Sequence, residues 1–185
     1  MNNSLTLLGI SGSLRKGSFN RLALQTAQKL TPPGTRIEIF DLHGIPPFNQ
    51  DEETTPPAIV VDLKQRIRAA DAILFATPEY NYGVPGVLKN AIDWASRPYG
   101  DSAWSGKPAA IISASAGVLG GVRAQVQLRQ SFLFLNMYGL NQPEVMIARA
   151  HEKFDPNGNF TDEAGKKLIS QLLQNLVDWT RRLTN

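Results

Sequence analysis

Residues 12–20 read Gly-Ser-Leu-Arg-Lys-Gly-Ser-Phe-Asn, a stretch of short neutral donors around two cations. Ser13, Ser18 and Asn20 offer hydrogen bonds to an oxyanion, and Arg15 adds a planar cation able to pair with a phosphate in bidentate fashion. The stretch follows an apolar strand over 5–10 and opens an amphipathic helix. A helix start exposes free backbone N–H groups and the positive end of the helix dipole. Residue types and placement together predict a cup for a monophosphate; a solvated polar turn is the plain alternative. Two better-known phosphate loops do not fit. Gly12 and Gly17 have the P-loop interval, but Ser18 and Phe19 stand where a lysine and a hydroxyl would hold a triphosphate and its magnesium. Gly9, Gly12 and Gly17 also miss the intervals of the dinucleotide fingerprint.

A second chemical segment follows the apolar run 72–77. It reads Pro78-Glu-Tyr-Asn-Tyr-Gly-Val-Pro-Gly86, with Pro and Gly at both ends and two tyrosines between them. Tyr80 and Tyr82 can lie against a flat ring, with Glu79, Asn81 and loop N–H groups bonding its edge. They can equally cap the core or an interface.

Alternating strand and helix patterns must position these loops. Strands are predicted over 5–10, 35–40, 72–77, 108–113 and 143–148, and helices over 20–30, 58–69, 87–95, 121–138 and 161–183. Residues 41–57 are too rich in proline and too irregular for either element. The pattern predicts an α/β fold: a doubly wound, five-stranded parallel sheet with helices on both faces. Ligands of such sheets bind at the carboxyl ends of the strands, where both segments fall. A third loop, 113–121, is built of small residues at the same edge and lets backbone approach a ligand closely.

Composition narrows the classes. The chain has 185 residues, 42% hydrophobic and 19% charged, which suits one globular domain over 1–185. Its net charge of +3 is scattered rather than striped, so no nucleic-acid partner is expected. The absence of cysteine excludes disulfides, thiol catalysis and thiolate metal sites, and the isolated His43 and His151 predict no metal site either. The first strand starts at Leu5, and no apolar run approaches about 18 residues. The expectation is a cytoplasmic chain with neither signal peptide nor membrane span.

The first two motifs, with the helix Val-Leu-Lys-Asn-Ala-Ile-Asp-Trp over 87–94, resemble the NADPH-dependent FMN reductase family, in its branch of bacterial quinone and chromate reductases. The resemblance runs from the first strand to the last helix. It implies a flavodoxin-like sheet of order 2-1-3-4-5 with bound FMN as the redox centre. Mapped onto this sequence, it implies FMN contacts from Ser13, Leu14, Arg15, Lys16, Gly17, Ser18, Phe19 and Asn20 in the first loop. Pro78, Glu79, Tyr80, Asn81 and Tyr82 belong to the second loop and Ser115 and Gly117 to the third. NADPH or NADH would pass a hydride to FMN, and a small-molecule acceptor would then be reduced at the same face, giving ping-pong kinetics. The acceptors implied are quinones, azo compounds, free flavin and metal oxyanions such as chromate. Because the chemistry belongs to the flavin, no catalytic acid or base is assigned, and Glu79 is read as an acceptor or a loop brace. A homodimer or homotetramer is also implied. A flavodoxin-like electron carrier and a non-catalytic flavin-binding protein are the alternatives; carriers are usually strongly acidic, unlike this chain.

Overall fold

A computed structural model of the chain describes residues 4–184. In chain order its elements are β1 (Leu5–Ser11), α1 (Phe19–Lys29), β2 (Thr35–Phe40), α2 (Ala58–Ala69), β3 (Ala72–Thr77), α3 (Gly86–Ala95) and β4 (Pro108–Ala114). After these come α4 (Val122–Phe134), β5 (Tyr138–Gly139), β6 (Val145–Ile147), the short α5 (Ala150–Lys153) and α6 (Glu163–Thr184). All strand pairs are parallel, in the order β2-β1-β3-β4-β5, with β6 also on β4.

Burial explains why the central strands are continuous apolar runs. Every residue of β3 and β4 is buried, as expected of strands covered on both faces. The edge strand β2 is only partly buried. One face packs Leu24 and Ala27 of α1 with Ile169, Leu172 and Leu176 of α6 against Leu7, Leu74 and Ile112. The other packs Leu63 and Ile67 of α2, Leu88 and Ile92 of α3, and Leu128 and Phe132 of α4 against Leu8, Ile10, Phe75 and Ile111. Apolar residues on α6 recur at three- and four-residue spacing, which produces the stripe that binds this 22-residue helix to the sheet.

The irregular stretch 41–57 contains a single 3-10 turn, Gln50–Glu52. It is tied to α3 by Asn90, which accepts from Phe48 N–H and donates to the Pro46 carbonyl, and by the Trp94 indole donating to the same carbonyl.

The fifth strand departs from the sequence reading. That reading runs the fourth helix to 138 and places one strand over 143–148. The helix instead ends at Phe134, and Asn136 takes a left-handed backbone (φ 54°) that turns the chain back. Tyr138–Gly139 then pairs with Pro108–Ala109, residues between the strands leave the ladder, and Val145–Ile147 pairs with Ile112–Ala114. Pro143 lies in the gap and has no N–H to give a ladder. One position in the sheet is thus filled by two short strands, and the order 2-1-3-4-5 is kept.

Candidate functional site

Three loops converge beyond the carboxyl ends of β1, β3 and β4. Gly12 N–H donates to the Ala76 carbonyl, which joins the first loop to β3, and Ser13 Oγ lies 3.4 Å from the Tyr80 hydroxyl of the second loop. The third loop is reached through Asn20. Its side chain donates to the Ala114 carbonyl and accepts from the Ala114 N–H, both at 2.9 Å, as a neighbouring strand would. Asn20 is buried, so much of its hydrogen-bonding capacity braces the cleft wall.

The first loop has the features of an anion cup. Ser18 is the N-cap of α1, its Oγ accepting from Arg21 N–H. That leaves the N–H groups of Phe19 and Asn20 without a helical acceptor, and no acidic residue stands in the first turn of α1 to answer its dipole. Arg15 lies 5.3 Å from the Phe19 ring, and its guanidinium crosses Gly17, where a Cβ would come within 3.2 Å of it. Among the described residues neither Arg15 nor Lys16 has a carboxylate partner. Arg21, one turn further on, pairs with Asp41 at 3.0 Å. The His43 N–H and that guanidinium hold the Asp41 carboxyl below its ordinary range, against an opposing effect of burial.

The second loop is a two-residue hairpin. Tyr80 and Gly83 exchange N–H to carbonyl bonds at 3.1 and 3.0 Å, with Asn81 (φ 51°) and Tyr82 (φ 67°) between them. Tyr80 and Tyr82 stand half to three-quarters exposed at the rim. Glu79 is mostly buried and paired. Its carboxylate accepts from Arg123 N–H (2.9 Å) and Arg123 Nη1 (3.0 Å) at the start of α4, so it braces the loop. In the third loop Ser115 Oγ accepts from Gly117 N–H, while Ser115 and Gly117 carbonyls accept from Ala150 and Arg149.

Ser13, Arg15, Ser18, Phe19, Asn20, Pro78, Glu79, Tyr80 and Ser115 line one cleft of about 170 Å³. Leu14, Lys16, Gly17, Asn81, Tyr82 and Gly117 stand outside its lining, and Ala114 and Ala116, which the sequence did not single out, are part of it. A larger apolar hollow of about 370 Å³ lies elsewhere, between α4 and β5. Its lining is mostly apolar, and the guanidinium it contains, that of Arg129, already donates to the Leu140 carbonyl. Arg97 follows α3 at the opposite end of the sheet from the cleft and stacks on Tyr99, 3.8 Å from its ring centre.

A doubly wound parallel sheet of order 2-1-3-4-5, with loops gathered at the switch point beyond its carboxyl ends, defines a flavodoxin-like fold. The sequence profile of the NADPH-dependent FMN reductase family matches residues 5–152. The chain is 55% identical to an NAD(P)H-dependent FMN reductase of Pseudomonas aeruginosa, covering 99% of both chains. It is 40% identical to a quinone reductase of Pseudomonas putida, over 93% of this chain and 92% of that one. The solved flavoenzyme NAD(P)H:(acceptor) oxidoreductase of Paracoccus denitrificans superposes with a TM-score of 0.88 at 38% identity, over 96% and 98% of the two chains. The chain belongs to the NADPH-dependent FMN reductase family and is an oxidoreductase. No described helix is long and apolar enough to cross a membrane.

Proposed function

We propose that the chain, acting as one domain, binds FMN in the loop cleft and uses NADPH or NADH to reduce small acceptors, quinones first. The observation that carries this reading is Arg15: a guanidinium without a carboxylate partner among the described residues, beside Phe19 at an acid-free helix start and in one cleft with Ser13. The residues present fit the group. Arg15, Lys16 and the first N–H groups of α1 suit a phosphate dianion. The cleft is smaller than the roughly 300–1,000 Å³ of pockets that enclose a whole small molecule. It therefore suits the phosphate and sugar-alcohol end, with the ring over the rim at Tyr80 and Tyr82. When bound, FMN supplies hydride acceptance from a nicotinamide and electron delivery to an acceptor.

The chain's own groups bind and orient. Arg15 neutralises the phosphate, and the Ser13–Tyr80 and Asn20–Ala114 contacts hold the three loops at fixed separation. Glu79 keeps the tyrosine loop against α4 rather than presenting a base to the cleft mouth. An open rim selects weakly among flat acceptors, which supports azo compounds, free flavin and metal oxyanions such as chromate as further substrates. Quinones are favoured because several close relatives are named quinone reductases. A homodimer or homotetramer is supported by the outward face of α4, where Leu133 and Phe134 stand exposed.

The test is the visible spectrum of the purified protein before and after anaerobic NADPH. A yellow protein that bleaches and regains colour with a quinone is expected. A yellow protein that never bleaches would make it a carrier or binding module, and failure to take up FMN at all would sink the cofactor assignment.

A further inference from the structure

Tyr82 occupies a position where a tyrosine is out of place. A two-residue hairpin turn with both central residues at positive φ favours Asn-Gly, and here the second place holds a bulky side chain at φ 67°. Such a backbone persists only where its surroundings hold it. At the Tyr82 ring that support comes from Arg123. The Arg123 guanidinium lies 3.9 Å from the Tyr82 ring centre, and the same guanidinium donates to Glu79 Oε1. Arg123 therefore grips the loop twice, by its face on Tyr82 and by its edge on Glu79, while its backbone N–H adds a third contact to Glu79 Oε2. One turn along α4, Gln127 Oε1 accepts from Val84 N–H, and Gly83 passes so close that a Cβ would sit 2.7 Å from that oxygen. The first two turns of α4 form a template for the whole tyrosine loop.

We propose that Arg123 is a positioning residue for the flavin-facing loop, holding Tyr82 and Glu79 so that residues 79–83 keep their left-handed turn and present a fixed rim to ring and acceptor. This rests on the flavin reading above. Arg123 touches neither the cleft nor the reacting atoms; it acts through its two loop partners.

The test compares the full-length protein with Arg123→Ala, Arg123→Lys, Glu79→Ala and the R123A/E79A pair. Chymotrypsin cuts after tyrosine, so nicking of the flavin-free protein at Tyr80 and Tyr82 reports how often the loop opens. Flavin fluorescence gives the FMN dissociation constant, and steady-state kinetics at saturating FMN separate KM from kcat. Arg123→Ala is expected to raise nicking and the FMN dissociation constant about tenfold each, with the melting midpoint lowered by only about 3–6 °C. Acceptor KM should rise about threefold or more at unchanged kcat, as for lost uniform binding. Arg123→Lys, which keeps the charge and all backbone contacts, should resemble Arg123→Ala because an ammonium has no planar face or fork. It decides the matter if the alanine variant does not fold. The pair should cost no more than Arg123→Ala alone. Additive effects, full restoration by lysine, or changes below about twofold would overturn the assignment. Nicking needs no flavin, which keeps the two claims apart. A wild-type protein that takes up no FMN overturns the flavin reading and the inference with it, whereas normal uptake with unchanged nicking in the variants overturns the inference alone.

Discussion

Two cation clusters at opposite ends of the sheet, the one around Asp101 and the one in the first loop, differ in how they are answered. At the amino end, in the loop that joins α3 to β4, Asp101 and backbone carbonyls answer the cations. Lys64 is buried and donates to the Arg97 carbonyl and to Asp101 Oδ2, and Arg68 reaches Asp101 Oδ1 at 2.6 Å. Lys107 donates to the Arg68 and Ala70 carbonyls at the end of α2, where a helix dipole favours a cation, while burial pushes its pKa down. At the carboxyl end Arg15 and Lys16 stand without a carboxylate among the described residues just before the start of α1, where the dipole disfavours them. A cation placed against the local field with no partner costs stability unless a ligand arrives to answer it. The Asp101 cluster is held together by its charges; the first loop is prepared by its own.

Substitutions at the two ends should therefore separate affinity from stability. The largest effect is expected from Arg15→Ala. Loss of a charge-assisted pair costs about 1.5–3 kcal/mol, so FMN affinity measured by fluorescence titration should fall roughly 10–100-fold while the melting midpoint of the flavin-free protein holds or rises slightly. Unchanged affinity would remove Arg15 from the cup. Lys64→Ala should do the reverse. With its carbonyl and carboxylate partners deserted, about 1.5–3 kcal/mol of stability is lost, a fall of roughly 5–10 °C in the melting midpoint, with FMN affinity within about twofold. A Lys64 variant that lost flavin without losing stability would show that the ends are not independent.

The contrast also explains what could be read from the sequence. The cup was legible because its chemistry is local: Ser13, Arg15, Ser18 and the start of α1 lie within one turn of chain, and strand burial wrote β1, β3 and β4 as continuous apolar runs. The braces were not, because each joins residues far apart in sequence. Asn20 reads as a donor to a ligand, yet it pairs with Ala114, 94 residues away. The role of Arg123 was not legible, since its partners Glu79 and Tyr82 lie across a helix and a strand. The broken fifth strand was missed for a different reason. The apolar residues from Phe132 to Met137 keep helical spacing, and only the left-handed Asn136 and the close approach of Gly139 to Phe132, where a Cβ would lie 3.1 Å from the ring, mark the turn. Local patterns reveal elements and sites; contacts that fix sites to one another are a property of the assembled fold.

The smallest expected effect sharpens the comparison through pH. Lys64 first, and Arg68 with it, hold the Asp101 carboxyl below its ordinary 3.8 despite an opposing burial effect. A carboxyl with a depressed folded pKa binds fewer protons folded than unfolded. Its contribution is then complete above the unfolded value and disappears as pH falls through the folded one. Asp101 is about half exposed, and such a pair is worth no more than about 1 kcal/mol. Asp101→Asn should therefore melt at most about 2–4 °C below the wild type near neutral pH, and the gap should close as pH falls below about 3.8. A gap that persists in acid would assign the difference to shape rather than charge. FMN affinity at neutral pH should be the same in both proteins, because the ion cluster and the cup share no residue and lie at opposite ends of the strands.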